Sequence, residues 1–283
     1  MPRTVTTFSY TTNDPQSAFG IPLVQVNLDG GVTATFALDT GTNPSLISDA
    51  LAKKLGLTPK PFEPKGRPFM LNGKPTQSVT VTHFNIEDLH INTQTLLVVD
   101  AKILAFGFQH PVDGVMGLDM MAQFTLLFDF LHHHVVVWYP GGFSQAEIAD
   151  SAFKNSAPIS LKLMPETGLF SVPVELWNGT AVSIIELAVD TGTGLTSISP
   201  QAARQLHLAP VQQYNSSSAN GTVRMSKAFV SKLRLGAALF KDQRITYPSR
   251  DDARFSTGLG MDVFSSHLVL MDFPRRTLYV ITP

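Results

Sequence analysis

Two short segments carry residues that could do chemistry. Asp39-Thr40-Gly41-Thr42 and Asp190-Thr191-Gly192-Thr193 are the same four residues, 190 − 39 = 151 positions apart. Each follows an apolar run, Phe36-Ala-Leu or Leu187-Ala-Val, so each aspartate stands at the end of a strand. The glycine that follows permits a tight turn whose amides approach the carboxylate. One Asp-Thr-Gly alone reads as a β-turn with an Asx bond. Two such loops meeting at an interface bring two carboxylates together, and these cannot both ionise cheaply, so they share one proton. One carboxylate then acts as general base on a water while the protonated partner polarises a carbonyl. The threonine hydroxyls of the two loops are suited to bonding backbone across a two-fold axis.

The elements that position these loops also come in two copies. Between Asp39–Leu57 and Asp190–Leu208 nine positions are identical, among them Ile47/Ile198, Ser48/Ser199, Ala52/Ala203 and Leu55/Leu206. A second match follows. Val115-Met-Gly-Leu-Asp119 aligns with Gly258-Leu-Gly-Met-Asp262, and Leu127-Phe-Asp-Phe130 with Leu270-Met-Asp-Phe273, at an offset of 260 − 117 = 143. The first copy is therefore 151 − 143 = 8 residues longer between the matches, the kind of difference a variable surface loop makes. Two repeats make a pseudo-dimer of two lobes rather than a solenoid.

Each copy has one grammar. Ile21–Leu28 and Val32–Leu38 flank Asp29-Gly30-Gly31, and Val172–Trp177 and Val182–Val189 flank Asn178-Gly179, both hairpin signals. Ser48 is an N-cap for a short helix ending at Gly56, and Ser199 with Pro200 repeats that start. Asn72-Gly73 and Asn220-Gly221 mark a second hairpin in each copy, and mostly strands follow, to Trp138 and to Ile281. The chain reads as all-β with one or two short helices per lobe and a pseudo-two-fold axis. The division is 1–140 for the first lobe, 141–157 for a connector and 158–283 for the second.

Composition narrows the function classes. The 283 residues are 43% hydrophobic and 15% charged, which excludes a disordered chain and allows a core without staples. A net charge of −1 provides no basic field for nucleic acid or anionic lipid. The absence of cysteine removes disulfides, thiolate catalysis and cysteine-based metal sites. No apolar run is long enough for a membrane-spanning helix. The segment MPRTVTTFSYTTNDPQ does not read as a signal peptide, and the compartment stays open. Gly-x-Ser-x-Gly, Walker and His-Glu-x-x-His patterns are missing, so serine hydrolase, P-loop and zincin chemistry lose their usual support.

Asp39-Thr-Gly-Thr with ISDALAKKLGL resembles the retropepsin-like aspartic proteases, especially their bacterial branch, over both halves of the chain. Val115-Met-Gly117 and Gly258-Leu-Gly260 resemble the family's hydrophobic-hydrophobic-Gly element, which braces the catalytic loop from below. Both lobes in one chain is similar to the pepsin arrangement. The resemblance implies a two-lobed acid-protease fold of six-to-seven-stranded β-lobes and peptide hydrolysis without metal, cofactor or covalent intermediate. It also implies flap hairpins over the cleft. It makes Asp39 and Asp190 the catalytic pair, Thr40 and Thr191 the hydroxyl network joining the loops, and Gly41 and Gly192 the residues that shape them. Pepsins carry disulfides and a flap tyrosine, and retroviral enzymes carry glycine-rich flaps. This chain has no cysteine and no tyrosine between Asp39 and Gly117, and its flap candidates, Phe69–Gly73 and Ser218–Gly221, hold one glycine each.

Other features take plainer readings. His132-His133-His134 aligns with Arg275-Arg276-Thr277 at a strand-to-strand turn, without a carboxylate cluster to make a metal site. Asp119 and Asp262 are turn or capping residues, and Asp129 and Asp272 strand-face or turn partners. Lys53 and Lys54 form a solvated helix face, Ser216-Ser217-Ser218 a flexible loop, and Trp138 and Trp177 pack. The expected protein is a monomeric aspartic endopeptidase taking an extended peptide or unfolded protein between its lobes. The alternative is a non-catalytic peptide-binding or inhibitor-like module on the same fold. The resemblance places Thr42 and Thr193 against the outer oxygens of the aspartates. Two hydroxyls donated there lower the pair's pKa values, which sets an expected optimum on the order of pH 3–5 from a free carboxyl near 4.

Overall fold

A computed structural model describes residues 5–13, 19–67, 69–71, 74–144, 152–218, 221–250 and 257–281. In the first copy, Pro22–Leu28 and Val32–Leu38 pair antiparallel around a turn in which Gly30 and Gly31 take φ of 70° and 73°. These strands belong to an eight-stranded sheet. Pairing of Asn27 with Asn85 and Leu28 with Phe84 brings Gln77–Ile86 back onto the first hairpin and curls the sheet into a barrel. The second copy repeats the plan in a seven-stranded sheet, in which Leu169–Asn178 and Ala181–Val189 turn through Gly179 at φ 59°.

Both short helices begin as their caps require. Ser48 accepts the Leu51 amide at 3.0 Å to start Asp49–Lys54, and Ser199 accepts the Ala202 amide at 3.1 Å to start Pro200–Gln205. The first helix leaves through Gly56 at φ 68°. The second leaves through His207, its equivalent at the 151 offset, at φ 51°. Two further helices, Leu118–Met121 and Met261–Phe264, follow the bracing glycines Gly117 and Gly260.

The first lobe holds a third helix, Ala101–Phe108, that the alternating pattern did not announce. Leu97 and Thr246 are structurally equivalent, since their amides bond Ser45 O and Thr196 O at 2.9 and 3.0 Å. Their offset is 246 − 97 = 149, so 149 − 143 = 6 of the eight extra residues fall between Leu97 and Gly117. The insertion is thus mainly this helix rather than a plain loop. Leu104 anchors it in an apolar cluster with Ala37 and Val115, and its Cα atoms come within 8 Å of the strand Gln212–Ser218 in the other lobe. That strand pairs along its length with Gly221–Leu235, so the Ser216–Ser218 segment is ladder, not loop.

A third sheet belongs to both copies. Its six strands run Val5–Ser9, His134–Trp138, Thr125–Asp129, Leu268–Asp272, Thr277–Ile281, Ile159–Ser160. At its centre the two repeated Leu-x-Asp-Phe strands pair antiparallel, with Leu127 opposite Leu270. The pair offset of 270 − 127 = 143 equals the sequence offset of the repeat, so the pseudo-two-fold axis passes through this pair. Phe128 and Phe130 stack beneath it, and Phe130 stacks in turn on Phe264 of the other copy at 6.2 Å. One continuous apolar core therefore underlies both lobes. The strand sharing exceeds the six or seven strands per lobe expected from the resemblance, because the closing strands of each copy complete a sheet neither could cover alone.

The hairpin tips Asn72-Gly73 and Ala219-Asn220 and the centre of the connector, 145–151, lie outside the described residues. The strands around the first tip pair Met70 with Pro75 and Leu71 with Lys74, and Ser218 pairs with Gly221 around the second.

Candidate active site

The Asp39 loop is held by a strand on both sides, and the Asp190 loop by the strand Ala181–Val189 on entry and by Ser197, bridged to Gly258 and Thr246, on exit. Val32–Leu38 enters the Asp39 loop and Leu46–Ser48 leaves it, and Gly114–Met116 lies between them, parallel to the first and antiparallel to the second. The Asp39 amide bonds Met116 O at 3.1 Å, and the Asp190 amide bonds Leu259 O at 3.0 Å in the matching arrangement. The loop ends cannot separate without breaking a sheet or these bridges.

The two loops meet through their threonines. The Thr40 amide donates to Thr191 Oγ1 and the Thr191 amide to Thr40 Oγ1, each at 3.1 Å. Thr40 Oγ1 donates onward to Val189 O and Thr191 Oγ1 to Leu38 O, each at 2.8 Å. Four hydrogen bonds thus cross the pseudo-two-fold axis, made by residues that are 1% and 0% exposed. The crossing network expected of Thr40 and Thr191 is present in both directions.

That clasp forces the carboxyls together. A Cβ on Gly192 would stand 2.1 Å from Asp39 Cγ, and one on Gly41 would stand 2.3 Å from Asp190 Cγ. Each glycine is therefore the space that the opposite carboxyl occupies. Asp39 Oδ1 accepts the Gly41 amide at 2.8 Å and Asp190 Oδ1 accepts the Gly192 amide at 2.9 Å, so each carboxyl is held by its own loop and faces the other.

The pair is not symmetric. Burial raises both carboxyls above the ordinary range, and Asp190 rises well above it because the Asp39 charge adds to the burial. Thr42 donates its hydroxyl to Asp39 Oδ2 at 2.6 Å and holds that carboxyl back. Among the described residues the Thr193 hydroxyl makes no matching bond. Asp190 takes the backbone amides of Gly192 and Thr193 instead. The expectation of two lowering hydroxyls is thus half met, and burial works against it on both sides. Asp39 is the better anion and Asp190 the better holder of the shared proton. Such a pair can move a proton off one oxygen nucleophile and onto a neighbouring oxygen.

Thr42 and Thr193 support their loops through their carbonyls, which accept the Leu118 amide at 2.8 Å and the Met261 amide at 2.9 Å. A layer below, Asp119 and Asp262 do more than cap. Asp119 accepts the Ser45 amide on both oxygens, at 3.0 and 3.1 Å, and the Ser45 hydroxyl, which in turn accepts the Gly117 amide at 2.8 Å. Asp262 accepts the Thr196 amide at 2.9 Å and hydroxyl at 2.7 Å, both on Oδ1, and Thr196 Oγ1 accepts the Gly260 amide at 3.1 Å. Asp262 Oδ2 is buried without a partner among the described residues, and burial pushes the carboxyl up to about 6. Sequence reasoning passed over Ser45 and Thr196. Their signal was available: both bear hydroxyls, and they share the 151 offset with the loops.

The remaining candidates lie apart from the pair. His132 and His133 occupy the turn between Thr125–Asp129 and His134–Trp138, which His134 opens, with His133 at φ 57° where its equivalent Arg276 has φ 54°. Asp129 and Asp272 anchor the turns beside them, through His132 and Arg275. Lys53 and Lys54 are exposed. Leu71, from the first flap candidate, packs on the cluster of Ile21, Leu23, Ala37 and Val115 that borders the Asp39 loop.

Replacing Thr191 by Val keeps the shape and leaves the Thr40 amide and the Leu38 carbonyl buried without partners. We expect a loss of about 2–5 kcal/mol in urea unfolding, and Thr191→Ser should recover most of it. The Asp262 carboxyl binds its proton more tightly folded, near 6, than unfolded, near 3.8. Its contribution to stability therefore falls as pH rises through that window. Asp262→Asn should raise the melting temperature relative to wild type more at pH 7.5 than at pH 4, with a gain on the order of 2 kcal/mol at the higher pH.

Comparison with known proteins agrees with this geometry. No curated protein matches the chain significantly. A family model described as aspartyl protease matches twice, over residues 24–120 and 172–263. Each matched stretch runs from the first hairpin through an Asp-Thr-Gly loop to its bracing glycine and carboxylate, and together they cover well over half the sequence. On that double match, laid over two lobes that clasp two aspartates at their axis, the chain belongs to the aspartyl protease family.

Proposed function

We propose that this protein is an endopeptidase of the retropepsin-like and pepsin-like kind, working as a single chain with lobes 1–140 and 158–283 and the connector 141–157 between them. The observation that carries the reading is the crowded carboxyl pair, Asp39 buried and Asp190 half-buried, each in the space left by the other loop's glycine and only Asp39 taking a threonine hydroxyl. Asp39 is the general base and Asp190 the general acid. Asp39 takes a proton from a water as its oxygen attacks the peptide carbonyl carbon, and Asp190 gives its proton to the carbonyl oxygen. The tetrahedral diol then collapses. Asp39 returns its proton to the amide nitrogen, the C–N bond breaks, and Asp190 recovers a proton from one diol hydroxyl. Atoms and charge balance without metal or covalent intermediate. The substrate is an extended peptide or unfolded protein lying between the lobes.

The test is digestion of a denatured protein mixture at several pH values, with fragments read by mass spectrometry. Asp39→Asn and Asp190→Asn should each reduce cleavage to below a few per cent while circular dichroism stays that of wild type. Cleavage by either folded variant at wild-type rate would overturn the assignment of the pair, and none by wild type at any pH would leave the chain a peptide-binding module instead. Since both carboxyls come from one chain, specific activity should stay constant on dilution well below micromolar concentration. A steeper loss, with a dimer in sedimentation, would reassign the pairing to two chains.

Activity requires one proton on the pair. Burial raises both carboxyls, so the active window should extend above the ordinary carboxylate range rather than close near pH 5. The Thr42 hydroxyl lowers Asp39, so Thr42→Ala raises it and should shift the acid limb of the pH–rate profile upward. Thr193→Ala should leave that limb in place, and equal shifts in both variants would contradict the asymmetry.

A further inference from the structure

We propose that Asp119 and Asp262 are positioning residues of the two loops, and that Asp119 alone acts through to a reacting carboxyl. This rests on the hydrolytic reading above. The observation behind it is a pair of relays built from equivalent residues but ending at different atoms.

In the first lobe the relay is complete. Asp119 uses both oxygens on Ser45, and the Ser45 hydroxyl holds the Gly117 amide. Gly117 in turn lies against the Asp39 loop, since a Cβ there would stand 2.5 Å from Thr42 O. The next amide, that of Leu118, bonds the same oxygen at 2.8 Å. Thr42 then gives its hydroxyl to Asp39 Oδ2 at 2.6 Å. Each link is a hydrogen bond or a hard contact, so the position of the Asp119 carboxylate sets where the Thr42 hydroxyl meets Asp39.

In the second lobe the relay stops early. Asp262 holds Thr196 through one oxygen only, and Thr196 holds the Gly260 amide. Met261 reaches Thr193 O at 2.9 Å. From there, among the described residues, Asp190 takes the Gly192 amide at 2.9 Å and no threonine hydroxyl. The second Asp262 oxygen has no hydrogen-bond partner among the described residues. An amide side chain can keep its carbonyl oxygen on Thr196 and place its NH2 where that bare oxygen was. At Asp119 the same exchange turns an NH2 toward the Ser45 amide, a donor against a donor. Asp→Asn is therefore a sharp substitution at 119 and a mild one at 262.

The experiment compares Asp119→Asn, Asp262→Asn and Ser45→Ala with wild type, using a peptide chosen from the mapped fragments. For Asp119→Asn we expect kcat to fall at least about tenfold, the weight of one charge-assisted hydrogen bond, with KM within about twofold. The acid limb should move upward as in Thr42→Ala. Asp262→Asn should lower kcat about threefold and leave the acid limb where it is. Ser45→Ala should reproduce the Asp119→Asn profile and Ser45→Thr should restore wild-type values, which keeps the test alive if Asp119→Asn does not fold. Amide hydrogen exchange at Gly117 should quicken at least about tenfold in Asp119→Asn and Ser45→Ala, a readout that does not require peptide cleavage. Equal losses at 119 and 262, a change in KM alone, or unaltered Gly117 exchange would overturn the proposal. Absent cleavage by wild type, with Gly117 exchange responding as stated, would instead remove the hydrolytic reading and leave the relay.

Discussion

The four hydrogen bonds exchanged by Thr40 and Thr191 are the constraint on which the rest of the structure depends. They are buried, and each threonine uses its amide, its hydroxyl proton and its hydroxyl oxygen on the opposite loop. No solvent can substitute for them once the lobes close, so breaking one leaves a donor or acceptor stranded. The consequence is electrostatic. Two carboxyls are driven into the space left by two missing Cβ atoms, where one of them must keep a proton. The fold thus uses buried hydrogen bonds to create a site that is unfavourable for two charges.

That arrangement needs support from below, because a crowded carboxyl pair pushes its loops apart. The support is in layers. Sheet pairing holds both ends of the Asp39 loop and single bridges at Ser197 hold the exit of the Asp190 loop, hydroxyl-bearing Ser45 and Thr196 hold the bracing glycines, and Asp119 and Asp262 hold the hydroxyls. Under these lies the shared six-stranded sheet, with Leu127 against Leu270 on the axis. Its stacked phenylalanines tie the lobes into one core. The axis relating the two Asp-Thr-Gly loops is therefore also the axis of the most extended contact between the copies.

Within this near-symmetry the departures carry chemical meaning. A symmetric pair of carboxyls has no preferred base. Here Thr42 bonds Asp39, and among the described residues Thr193 has no such bond to Asp190. The helix Ala101–Phe108 breaks the symmetry a second time, reaching from the first lobe toward Gln212–Ser218 in the second.

The sequence by itself determined what is local or repeated. The strand before each aspartate, the glycine turns, the Ser48 and Ser199 caps and the carboxyl pair follow from residue types whose backbone preferences act over a few positions, and two copies made the pairing of the loops legible. It did not reveal the helix Ala101–Phe108, which is apolar nearly throughout and so shows no helical period, and in which Leu104 is the residue that finds Ala37 and Val115. Nor did it reveal the shared sheet, since a strand's partner is chosen by whichever edge and core face remain open, and that is known only when the chain has closed. The identity of Thr42 and Thr193 promised equal roles. Tertiary structure alone decided that one hydroxyl meets a carboxyl, because a hydrogen bond depends on tenths of an ångström set by everything packed behind it, and sequence identity does not carry that distance.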